Sequence, residues 1–91
     1  MKKRRGQKSL RDLPIVEILW DDTTGHPGWY TATEAPELPF ARCWTVGRLV
    51  SRGAGGITLC ATISPDDETG PEVGDVWRIP QANVRKIRRL R

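Results

Sequence analysis

The sequence predicts a mainly β protein: one small domain of short antiparallel strands behind a basic N-terminal arm. Three observations lead there. The chain has 91 residues, a length that supports one small core and leaves no room for a second. Nine glycines and seven prolines are spread along it beside four tryptophans, which suits short strands and tight turns and disfavours long helices. Its apolar residues fall in short runs, several of them alternating with polar residues at the period of a strand.

Residues 1–12 read as a basic, disordered arm and residues 13–91 as the folded domain. The arm holds Lys2, Lys3, Arg4, Arg5, Lys8 and Arg11, with Leu10 as its only apolar side chain after Met1. That is too little apolar surface to offset the entropy lost on ordering. No apolar stretch follows these charges, so the segment lacks the central region of a secretory signal. Nor does any run approach ~20 apolar residues, the length of a membrane-spanning helix. The expectation is a soluble, cytoplasmic protein with no membrane contact.

From Pro14 the composition changes. Ile15, Val16, Ile18, Leu19 and Trp20, with Glu17 among them, form the first strand. The run from Asp21 to Gly28 is a loop by composition, Trp29 and Tyr30 open a second apolar patch, and Pro36 and Pro39 keep the chain irregular as far as the next strand. Residues 41–51 place Cys43, Thr45, Gly47 and Leu49 on one parity and Trp44, Val46, Arg48 and Val50 on the other, which makes a second strand. Gly53, Gly55 and Gly56 supply the left-handed backbone of a hairpin turn, and Ile57, Leu59, Ala61 and Ile63 alternate immediately after it.

A second loop spans Ser64 to Asp75 and leads into a short fourth strand, Val76 to Ile79. Pro80 ends that strand, and Gln81, Ala82 and Asn83 make one helical turn before Val84, Ile87 and Leu90. Their i, i+3, i+6 spacing fits a short amphipathic helix as well as a closing strand. The expected core is Val16, Ile18, Leu49, Ile57, Leu59, Ile79 and Val84, with Trp44 and Trp77 as core or half-buried side chains, because so small a domain needs large ones.

Five short strands, a variable loop after the first, a glycine-rich central hairpin and the closing segment IPQANVRKI together resemble SH3-like barrels. In that fold a proline ends the fourth strand, a single 3₁₀ turn follows, and the last strand lies beside the first. The arrangement of Trp20-Asp21-Asp22, Gly28-Trp29, the Cys43 to Val50 strand and the Ile79-Pro80 pair is also similar to small uncharacterised bacteriophage and prophage proteins. The chain lacks the Ala-Leu-Tyr-Asp-Tyr run and the Trp-Trp pair of peptide-binding SH3 domains, so the resemblance does not imply their proline-peptide groove.

Charge is arranged in three blocks. Residues 1–11 hold six cations and no acid, and residues 78–91 hold Arg78, Arg85, Lys86, Arg88, Arg89 and Arg91 and no acid. Between them, eleven acids face only Arg42, Arg48 and Arg52, so a net charge of +4 conceals an acidic body with basic ends. Basic ends attract phosphate by releasing condensed counterions, which makes Lys2, Lys3, Arg4, Arg5, Lys8, Arg85, Lys86, Arg88 and Arg89 candidate nucleic-acid contacts. The bland alternative is that these ends fold back over the acidic body or serve only solubility. Trp20, Trp29 and Tyr30 flank the long loop after the first strand, where SH3-like barrels present ligand-binding side chains; they are the candidate contacts to a partner. The alternative is that they cap the open end of the barrel.

No catalytic constellation emerges. His26 is the one histidine and lies in a loop without a nucleophile beside it. Asp21 and Asp22 are too few to cage a cation and read as turn initiators. The glycines from Gly53 to Gly56 precede a strand and lack the Lys-Ser/Thr pair of a phosphate loop. Cys43 and Cys60 belong to no metal-binding spacing and read as small buried apolar residues. The expectation is therefore a non-enzymatic accessory protein of phage type, without cofactor or metal, that binds nucleic acid or a nucleoprotein complex through its basic ends. The alternative is a module that binds and modulates a host or phage protein. A third arrangement, a subunit in a larger assembly, would use its sheet edges as contacts.

Overall fold

The computed structural model describes residues 10–64 and 71–91. Its strands are β1 (Ile15–Asp22), β2 (Ala41–Gly53), β3 (Gly56–Ser64), β4 (Glu72–Ile79) and β5 (Val84–Arg89). All pair antiparallel in one sheet of order β4-β3-β2-β1-β5. The described residues contain no α-helix, only 3₁₀ turns at Leu10–Asp12, Ala35–Glu37 and Gln81–Asn83. The segment from Val84, whose spacing also suits a helix, is a strand. β4 begins at Glu72, inside the stretch whose composition reads as loop.

The expected closed barrel is not formed: β4 and β5 end the strand order at opposite edges and do not pair. Their connection explains this. Pro80 has no N–H to continue a ladder, and the turn after it is tied to the end of β1 by Asn83 Nδ2, which donates to the Asp21 carbonyl at 2.8 Å. The chain is thus delivered to the free edge of β1, and β5 pairs there.

The sheet instead curls on itself. Side chains of β1 alternate, so Val16, Ile18 and Trp20 share the inner face and meet Ile57 and Leu59 of β3 and Ile79 of β4 in one buried cluster. Cys43, Leu49, Val84 and Ile87 pack at its margin. Leu49 and Val84 are therefore half-buried, not fully enclosed. Although β1 and β4 are not neighbours in the sheet, the rings of Trp20 and Trp77 meet edge to face with centroids 6.4 Å apart. Cys43 and Cys60 are free thiols, Cys60 fully buried.

Local sequence makes the curl feasible. The β2–β3 register shifts between Leu49 and Ser51, which leaves Val50 as an extra residue on β2 and bends the strand there. At Gly47 the backbones of β2 and β3 approach so closely that a Cβ would lie 3.0 Å from the Cys60 carbonyl oxygen and 3.1 Å from Leu59 Cβ. The hairpin turn itself is Ala54-Gly55, but the left-handed residue is Gly56, at φ +136°. A Cβ on Gly56 would sit 2.5 Å from the Ile79 carbonyl oxygen.

Two substitutions test this packing. Leu59→Ala should lower stability by about 2–4 kcal/mol, the usual result of emptying a fully buried leucine site. Gly56→Ala should cost at least about 1–3 kcal/mol, because it forces a side chain into a left-handed backbone and against β4. Urea-unfolding midpoints measure both, and a parental midpoint in either variant refutes the corresponding placement.

Candidate nucleic-acid interface

The curl that buries the inner face leaves the outer face of β5-β1-β2 open. Residues in direct register share a face, so the pairing defines what stands on it. Glu17 lies between Arg88 and Val46, and Leu19 between Lys86 and Trp44. Asp21 lies opposite Arg42. On its other side the β1–β5 register shifts between Leu19 and Trp20, leaving Arg85 as an extra residue that reaches Asp21. Three rows result, spaced about 7 Å apart along the strands.

The outer rows are ionic. Arg88 Nη2 contacts Glu17 Oε1 at 3.1 Å, while Arg42 Nε and Arg85 Nε converge on the two oxygens of Asp21 at 3.3 and 2.6 Å. These pairs are partly exposed, so each adds at most about 1 kcal/mol to stability. Their effect is positional: they hold three guanidiniums over one face. Four cations stand there against two carboxylates, and Lys86 has no ion pair among the described residues. In the middle row Trp44 is 56% exposed, with Val46 exposed beside it. Trp44 and Trp77, expected as core or half-buried, are both exposed, Trp77 at 51% despite its edge contact with Trp20, and Trp44 because its parity on β2 is opposite to that of Cys43 and Thr45.

The C-terminal basic block therefore does part of what the bland reading expects, since Arg85 and Arg88 fold back over acids of β1. The remaining candidates separate. Arg89 ends β5, exposed, with its Nε donating to the Arg91 carbonyl at 3.4 Å. Lys2, Lys3, Arg4, Arg5 and Lys8 lie outside the described residues. Leu10–Asp12, read as part of the arm, forms a turn whose exit Arg48 holds: its Nη1 donates to the Arg11 and Leu13 carbonyls at 2.9 and 3.0 Å. Ile15 N–H donates to the Arg91 carbonyl and Leu90 N–H to the Ile15 carbonyl. The start of β1 consequently lies beside Leu90 and Arg91, whereas the segment before it is held by Arg48 and Leu49 of β2.

The three aromatic candidates also part company. Trp20 is 6% exposed, with its indole N–H donating to Thr45 Oγ1 at 2.9 Å. It is a core residue, and its assignment to a partner surface is corrected: the parity that turns Val16 and Ile18 inward turns Trp20 inward too. Tyr30 is exposed, but its hydroxyl donates to the Pro27 carbonyl at 3.0 Å and shapes the loop. Trp29 is 100% exposed, next to Gly28 at φ +107°. His26 Nε2 pairs with the Pro39 carbonyl at 2.8 Å, bracing the loop across 13 residues. Asp21 and Asp22, read as turn initiators, are instead the last two residues of β1, and Asp22 accepts the N–H of the adjacent Thr23 at 2.8 Å.

Asp21, Pro39, Phe40, Arg42 and Arg85 line an open cleft of about 420 Å³ at one end of this face. Phe40 and Arg42 escaped the sequence reading. Phe40 stands alone between loop and strand, and the pairing of Arg42 with Asp21 follows only from the β1–β2 register. Among the described residues no group of His, Cys, Asp and Glu could hold a metal ion, and no helix is long and apolar enough to cross a membrane. The chain matches no protein-family model, no curated protein and no solved structure.

The contrast between the two loop-flanking tryptophans is measurable. Thr45→Val, which strips the buried indole of its acceptor, should lower stability by about 1 kcal/mol or more. Trp29→Ala should leave the unfolding midpoint where it is. A destabilised Trp29→Ala variant or a fully stable Thr45→Val variant would reverse the assignment of these side chains.

Proposed function

We propose that this chain is a small SH3-like binding module of phage type, without enzymatic activity, that engages nucleic acid through its basic edge. The observation that carries the reading is the outer face of β5-β1-β2, which presents the exposed Trp44 on β2 together with Arg42 of the same strand and Arg85, Lys86 and Arg88 of β5, across β1. Cations on an exposed sheet supply the sequence-independent attraction to phosphate, and an exposed indole among them supplies a platform for a base. The strand order and the Pro80-initiated 3₁₀ turn support the SH3-like assignment. β1 begins beside the end of the described chain, where Ile15 N–H meets the Arg91 carbonyl, and we propose that the cations of residues 2–8 and those of β5 act on one polyanion.

A second reading rests on Trp29. A fully exposed indole on a loop braced by Tyr30 and His26 is a natural anchor for a protein partner. Residues 10–79 remain acidic on balance, which suits a basic surface on that partner.

Binding to generic DNA and RNA at low and moderate salt separates the two. Removing residues 1–9 should weaken nucleic-acid binding without unfolding the sheet, and each cation lost should flatten the salt slope by roughly one unit. Trp44→Ala should weaken single-strand binding at every salt concentration, while Trp29→Ala leaves it unchanged. If the intact protein binds neither polymer at low salt, the nucleic-acid reading falls and the Trp29 surface takes its place.

A further inference from the structure

Resting on the nucleic-acid reading, we infer that the cleft at the Asp21 end of the outer face receives one nucleotide of a single strand, its phosphate on Arg42 and Arg85 and its base on Phe40. The charge centre is unusual in its construction. One carboxylate, Asp21, holds two guanidiniums, each closest through its Nε. Three charges thus collapse to one net positive charge while both guanidiniums keep further N–H donors for a second acceptor. Both arginine side chains are more than half exposed, whereas Asp21 is not. The carboxylate is covered and the donors are accessible, an arrangement that favours an incoming anion.

The apolar side of the cleft matches. Phe40 is 66% exposed, an aromatic ring at the surface with no place in the core cluster. The preceding Pro39 also lines the cleft, and its carbonyl is fixed by His26 at 2.8 Å, so the wall is anchored to the loop. Opposite, Asn83 holds the end of β1 through the Asp21 carbonyl, and the β5 bulge delivers Arg85. The volume of about 420 Å³ lies in the range of small-ligand sites.

An anion-binding pair of arginines beside one exposed ring selects a ligand that is both anionic and aromatic. A paired base hides its faces in the stack, whereas a single-stranded base offers one for stacking. The site therefore discriminates single strands from duplex, and because every base has such a face it does so without sequence preference.

The test is fluorescence anisotropy of the full-length protein with a labelled oligothymidylate, an oligouridylate and a duplex of equal length, at low and moderate salt. Phe40→Ala removes an exposed ring and should keep the parental unfolding midpoint. It should weaken binding to both single strands roughly tenfold or more, the usual effect of losing one stacking partner, and leave duplex binding nearly unchanged. The double variant Arg42→Gln with Arg85→Gln should flatten the single-strand salt slope by about one to two units. If the parent binds single strands and Phe40→Ala binds them equally well, the cleft assignment is overturned while the broader reading stands. An equal loss on duplex and single strand also overturns it. If the parent binds nothing at low salt, both fall together. Should the double variant fail to fold, Phe40→Ala decides alone.

Discussion

A single sheet with no helix against it among the described residues must provide both walls of its own core, and the rest of the molecule depends on how it does so. The inner row of β1, Val16, Ile18 and Trp20, can be buried only if β3 and β4 curl over to meet it. That curl brings backbones together where a Cβ would be crowded at Gly47 and would collide at Gly56, and it has an added residue at Val50 to bend β2. The buried cluster is six residues, so each one represents a large share of the marginal stability available to so small a domain.

The same curl produces the outer face. Once inward parity on β1 and the first half of β2 is taken by the core, Glu17, Leu19, Asp21, Arg42, Trp44 and Val46 stand on the outside. The turn at Gln81–Asn83 then adds β5, with its cations, to this edge. An exposed edge strand is a template for unwanted pairing, and a row of Lys and Arg blunts it. The cations of β5 therefore suit two roles at once: they keep the free edge from self-association, and they add positive charge to the face that carries Trp44, across β1 from it.

The ion pairs illustrate why charge counts mislead without geometry. A basic end that folds over acidic residues looks like self-neutralisation, and for Arg88 with Glu17 it is. At Asp21, however, two arginines share one carboxylate, so the local balance stays positive and the guanidiniums are held in place. Solvent-screened pairs of this type contribute little stability. Their consequence is a fixed pattern of donors at the mouth of a cleft.

Three of the five strands are legible in the sequence, because alternation, β-branched runs and turn residues act over a few residues: β1, the hairpin at Gly53–Gly56, the turn at Gln81–Asn83 and the inward set Val16, Ile18, Ile57, Leu59 and Ile79 can be read there, whereas the start of β4 and the choice of strand over helix for β5 cannot. The basic blocks were legible too, as composition. Tertiary structure decided the rest. Trp20 and Trp44 sit in equally strand-like surroundings, and only parity relative to the curl sends one into the core and the other to solvent. That the last strand pairs with β1 and not β4 is set by a ladder between segments far apart in the chain, reinforced by the Asn83 contact to the Asp21 carbonyl 62 residues away. The cleft joins Asp21, Phe40, Arg42 and Arg85 from two strand ends, a loop and a bulge. No local pattern encodes it, since register and bulge position are set by the packing of the whole sheet.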